Sequence, residues 1–182
     1  FIITAPGRLW LSRTMLALYK KIFRFNSRKY LCINYFIDDI ALEIPDKNIY
    51  TATEIVTLIP TYNNSLFKQF REKNNWTSNF RPNFNGIAHL KTDEVKDPKL
   101  KSILEKMLKG KFGNLLDLFC YRITIIFWKY KFRKLDQHEF NHCFRSSRHI
   151  SKHHPQNFQK KVLNLYDQKI SQFELANSVK LS

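Results

Sequence analysis

The chain is poor in the residues that punctuate or cross-link a fold. It has only 4 glycines and 6 prolines in 182 residues, which excludes a collagen-like or low-complexity chain. Its three cysteines, Cys32, Cys120 and Cys143, are odd in number and widely spaced. Neither a disulfide framework nor a paired zinc motif follows from them. Each reads as a small buried hydrophobe, and reduced thiols suit a cytoplasmic protein. No apolar run reaches the roughly 20 residues that a membrane span needs. The most apolar stretch, Leu115 to Tyr130, carries Asp117 and Arg122, so a buried or amphipathic helix is expected there and no membrane partner. Phe1-Ile2-Ile3-Thr4 has no basic n-region before an apolar stretch, so no secretory signal is expected, and the chain holds no Walker motif, dinucleotide fingerprint or Ser-His-Asp or Cys-His pairing in a diagnostic context.

Acidic residues are the scarcest class of all. Asp and Glu number 15 against 31 Lys and Arg, a net charge of +16. No acid occurs before Asp38, and none between Glu139 and Asp167. So basic a balance points to polyanions: nucleic acid, nucleotides or an anionic surface.

What is present suffices for a core, with 43% hydrophobic and 15% aromatic residues. Ala5-Pro6-Gly7-Arg8 reads as a turn, and residues 9–24 as a helix by the spacing of Leu9, Leu16, Leu18 and Ile22. Residues 29–37 are aromatic and β-branched, which predicts a strand. Asp38-Asp39 makes a turn, and residues 40–44 return as a second strand, giving a hairpin. Thr51 and Glu54 fit a capping box for a helix that Pro60 ends. A short helix follows over Asn63–Asn74. Residues 75–96 are a loop-rich connector. Asp97-Pro98 opens a helix that Gly110 stops. Further helices are expected at 114–133, 136–144 and 156–176. The Trp residues, Trp10, Trp76 and Trp128, are expected in the core. The fold class is therefore α+β: a mixed sheet with a helix and a β-hairpin, then an all-helical C-terminal part. The division is a head over 1–60, a helix and connector over 61–96, and a helical region over 97–182.

The hairpin sequence, an apolar strand, an acidic turn and then Leu42-Glu43-Ile44, resembles the one that carries the third metal-binding carboxylate in the DNA polymerase β-like nucleotidyltransferase superfamily. Bacterial nucleotidyltransferase-domain proteins share further blocks: an apolar run like Phe1-Ile2-Ile3-Thr4, then RLWLSRT, KYLCINYFID, LEI and NIYTATEI, and later FRSSRHISKHHPQNFQKKVL. In that superfamily two carboxylates two residues apart sit on one strand and the third on its neighbour. Together they hold divalent metal, hard Mg²⁺ or Mn²⁺, against a nucleoside triphosphate. The resemblance implies transfer of a nucleoside monophosphate to a hydroxyl acceptor. It also implies that the first two carboxylates lie just upstream of Phe1, so that the chain is a truncated fragment, inactive alone. Glu43 matches the third carboxylate, or is a solvent-facing charge; Asp38 and Asp39 are second choices, or plain turn residues. Asn34 in that position would weaken the site, because a neutral amide supplies no charge.

Two basic features complete the candidates. Arg8 opens the first helix, where the positive dipole end favours phosphate. Arg145, Arg148, His149, Lys152, His153 and His154, with Lys160 and Lys161 following, form a patch that reads as phosphate-binding or as a solvated basic face. His138 and His142 stand four apart, one helical face, but lack the paired cysteines of a zinc motif. The alternative function is a non-catalytic nucleic-acid-binding module on a degenerate nucleotidyltransferase fold.

Overall fold

The computed structural model describes residues 1–23, 34–84 and 99–180. The fold is mixed α+β, with a three-stranded sheet among helices. The chain groups into two compact units, Phe1–Leu42 with Val95–Pro155, and Glu43–Glu94 with Gln156–Ser182. Each unit joins two separate stretches of sequence, unlike the consecutive 1–60, 61–96 and 97–182 division.

The first unit holds the sheet. Strand β1 (Ile2–Thr4) leads through helix α1 (Leu9–Phe23) to strand β2 (Tyr35–Asp38), which lies parallel to β1 with Ile2 opposite Phe36 and Thr4 opposite Asp38. All four β2 residues are buried, so β2 is covered on both faces, as a central parallel strand should be. Its other neighbour is strand β3 (Ile150–Lys152), antiparallel, with Phe36 opposite Ser151.

This pairing corrects two expectations. Residues 40–44 form no return strand and there is no hairpin. Asp38 Oδ1 accepts from the Ile40 amide at 3.2 Å, and the Asp38 carbonyl accepts from the Ala41 amide at 3.1 Å. The chain turns there and leaves the sheet. Leu42 and Ile44 are buried and Glu43 is exposed, so the in-out alternation is right while the ladder is missing. The C-terminal part, in turn, is not all helical. β3 comes from the basic stretch, where Ile-Ser-Lys carries little strand signal. A turn held by Ser147, whose Oγ accepts from the His149 and Ile150 amides, positions it. The expected strand residues 29–33 and the Asp97-Pro98 helix start lie outside the described residues.

Helix α5 (Lys111–Lys131) packs along α1, between helix α4 (Lys99–Met107) and the short helix α6 (Gln137–Cys143) in sequence. Gly110 separates α4 from α5 with φ of 85°. The core is Leu9, Trp10 and Leu11 of α1, Phe36 of β2, Cys120 and Trp128 of α5, and Phe140, Cys143 and Phe144 around α6. Trp10, Trp76 and Trp128 are all buried, as expected.

Two buried charges organise this core. Helix α1 has no acid in its first turn, yet its Leu11 amide needs an acceptor. Asp117 of α5, fully buried, supplies one: its Oδ1 accepts from Leu11 N at 2.9 Å. Its Oδ2 lies 3.7 Å from the Arg148 guanidinium. Arg13, also buried, lies between the Phe36 and Trp128 rings, 5.2 and 4.9 Å from their centroids. Burial pulls its pKa down to about 10, so it stays a cation at neutral pH and the aromatic faces stabilise it.

The second unit is built on helices α2 (Ile49–Val56), α3 (Asn64–Lys73) and α7 (Phe158–Asn177), with a 3₁₀ turn at Asn75–Asn79. Asn48, not Thr51, caps α2: its side chain accepts from Thr51 N at 3.0 Å. Glu54 instead accepts from the Tyr50 hydroxyl. Asn74 is the polar hub of the unit. Its Oδ1 accepts from Ile44 N at 2.8 Å and from Trp76 Nε1 at 3.1 Å, and its Nδ2 donates to the Phe70 carbonyl at 2.8 Å.

Replacing Asp117 by Ala should destabilise the protein by about 1–3 kcal/mol, the loss of a cap plus a half-buried Arg148 guanidinium left without its counter-charge. Urea denaturation of both proteins measures it, and a change under about 0.5 kcal/mol, the range of ordinary surface substitutions, would contradict the role. Asn74→Leu, close in size but lacking three hydrogen bonds, should cost about 2–3 kcal/mol on the same assay.

Candidate functional site

The C-terminal end of β2 gathers the most polar chemistry of the first unit. Asp38 is fully buried. Its Oδ2 meets His149 Nδ1 at 2.6 Å, and its amide donates to the His149 carbonyl at 3.1 Å. The next residue, Asp39, is exposed and its amide donates to the Thr4 carbonyl at 3.2 Å. Asp38 therefore ties the turn after β2 to the turn before β3. Both of its oxygens are engaged and neither is open to solvent. His149 is half-exposed, and nothing in its local sequence marks it as the partner of a residue 111 positions away.

The basic cluster is largely built into the fold. Lys152 lies on β3 and is buried. Arg148 faces Asp117. His153 packs among Trp128, Phe132 and Phe144, with ring centroids 4.9, 6.1 and 5.2 Å away. Desolvation first, then the charges of Arg13, Lys131 and His154, hold its pKa down to about 4. The His154 amide donates to the Cys143 carbonyl and the Lys152 amide to that of Arg145. Arg8 closes the α4–α5 junction. Its guanidinium donates to Asn114 Oδ1 at 2.6 Å and to the carbonyls of Gly7, Leu108 and Gly110. A side chain at Gly113 would run into the Leu108 carbonyl and this guanidinium. Arg8 and Arg148, which read as phosphate ligands in sequence, here join separate elements. Lys160 and Lys161 lie on α7, in the second unit.

Glu43 belongs to the second unit, is exposed, and pairs with Lys47 at 2.7 Å. The Lys47 hydrogen bond and charge hold its carboxyl below the usual range. Among the described residues no group of three or more His, Cys, Asp or Glu is placed to hold a metal. That includes His138 and His142, which stand on α6. Of the two carboxylates expected as ligands, Asp38 is sealed and Glu43 is exposed beside Lys47.

Register bears on the same point. Ile2 lies opposite Phe36, and the Phe1 and Tyr35 rings are 4.9 Å apart. Phe1 therefore lies at the Asn34 end of β2. Asp38 is at the other end, four residues or about 13 Å away. Asn34 itself accepts at its carbonyl from the His153 amide at 2.7 Å.

Because His153 stays neutral in the fold and its unfolded value is near 6.5, the unfolded chain binds more protons between those values. Its contribution is full above about pH 6.5 and is lost as pH falls toward about 4. Thermal melts should therefore show a drop in Tm over that window that is shallower in His153→Phe. Parallel Tm–pH curves for the two proteins would exclude the effect.

Compared with known proteins, the chain matches no family model, no curated protein and no solved structure.

Proposed function

We propose that the chain forms part of a nucleotidyltransferase-like module that transfers a nucleoside monophosphate from a nucleoside triphosphate to a hydroxyl acceptor. The observation that carries this reading is the β1–α1–β2 unit. The apolar strand that resembles the exit from the superfamily's paired carboxylates lies directly beside, and parallel to, the strand ending in Asp38. That superfamily draws its ligands from two neighbouring strands. Metal binding by Glu43 or Asp38 is not part of the support: Asp38 is sealed, and Glu43 belongs to the second unit. Asn34 is the β2-side residue at the level where upstream acids would run, and its amide offers a hydrogen bond rather than a charge. The Asp38–His149 pair is read as the tie that keeps β2 between its two neighbours.

The second reading, nucleic-acid binding without chemistry, is favoured by one specific observation: the net charge of +16. The two readings separate on metal dependence. The chain, alone and extended at Phe1 by a segment that carries the paired carboxylates, is incubated with α-labelled nucleoside triphosphates and RNA or protein acceptors, with Mg²⁺, Mn²⁺ or EDTA. Metal-dependent label transfer by the extended chain, reduced by Asn34→Ala, with none by the chain alone, is the expected result. Salt-sensitive RNA retention with no nucleotide binding in any metal condition would replace the first reading by the second.

A further inference from the structure

A cleft of about 500 Å³ opens in the first unit between α5, α6 and the residues that follow α6. Its size falls within the range of small-molecule sites and accommodates about one nucleotide. Lys129 of α5 and His138 of α6 line it and are exposed; Arg145, half-buried, lines it from beyond α6. Asp117 is buried beneath Leu11 and no carboxylate lines the cleft. A cationic ligand is therefore repelled and an anionic one attracted.

The wall is also aromatic. Tyr121 is half-buried in it, and the Trp10 ring lies 4.8 Å from the Tyr121 ring, which fixes the tyrosine in place. On α6, Gln137 Nε2 donates to Asn141 Oδ1 at 2.9 Å. That bond orients two exposed amides on the rim, leaving the Gln137 oxygen as an acceptor and the Asn141 nitrogen as a donor. A fixed ring, two oriented amides and basic side chains on both sides are the parts that hold an unpaired base between its phosphates.

We infer that this cleft binds single-stranded nucleic acid, one base against Tyr121 with flanking phosphates at Lys129 and His138. A duplex keeps its bases stacked and offers none to the cleft. The site shares no residue with the Asp38–His149 pair. It stands without the transfer reading, because binding here needs neither metal nor triphosphate.

The test is fluorescence anisotropy of a labelled eight-nucleotide RNA with the full chain in EDTA at several salt concentrations. Lys129→Gln, on an exposed helical position, should weaken binding roughly tenfold, the scale of one charge-assisted contact. Lys169→Gln, which removes the same charge from α7 in the other unit, should weaken it less than about twofold by general screening alone. Tyr121→Leu should weaken it by a similar factor to Lys129→Gln, the scale of one stacked base. Should Tyr121→Leu unfold, Gln137→Ala on the exposed rim takes its place. Equal losses for Lys129→Gln and Lys169→Gln would overturn the site in favour of diffuse charge. So would equal affinity for a duplex of the same length, or for anionic vesicles, with the same dependence on Lys129. An RNA that does not bind at low salt overturns it outright, whatever the outcome of the transfer assay.

Discussion

The first unit depends on one buried carboxylate. Asp117 projects from α5 onto the start of α1, where the helix dipole and a free amide both call for negative charge. The sequence of α1 provides no acid of its own. Without Asp117, Leu11 would lack its acceptor and Arg148 its counter-charge. Because α1 is the crossover between β1 and β2, anchoring its first turn also fixes the parallel strand pair. A single interaction across more than a hundred residues thus holds the start of α1 against α5.

The excess of positive charge acts at two levels. Part of it is structural. Arg13 is buried between aromatic rings, Arg148 faces Asp117, Arg8 gathers the carbonyls at the α4–α5 junction, and Lys152 is a buried strand residue. Arginine suits this use, because its flat, weakly hydrated guanidinium packs on rings and forks across several acceptors. The rest remains on the surface, including Lys129 and most of α7's lysines. A basic run in sequence therefore does not translate directly into a basic binding face. Each cation has to be placed before it can be counted toward a ligand.

The two carboxylates that sequence pattern singles out have opposite fates. Asp38 is sealed at the end of β2 by His149 and the Ile40 amide, and Glu43 sits in solvent beside Lys47. Neither is poised as an open ligand. The feature that survives from the pattern is the strand pair itself: an apolar β1 beside a β2 whose side chains are all buried.

Local sequence was enough for whatever depends on nearby residues. Hydrophobic spacing located α1 and α7, and caps and local composition located α3 and α6, within a few residues; composition placed the three tryptophans inside. The turn after Asp38 was legible too, because an Asp side chain can close it unaided. Strand partners were not. A ladder joins residues 36 and 151 through backbone groups that every sequence has, so Ile-Ser-Lys gave no sign of being a strand, and residues 40–44, with a good strand pattern, found no partner. The cap on α2 moved to Asn48 because the first amide it reaches, Thr51 N, is settled by backbone position rather than by motif. Burial of Asp117 and Lys152, neutrality of His153 and the cleft at Tyr121 all arise where distant segments meet. Only tertiary structure removes water from those groups, and removal of water is what changes their chemistry.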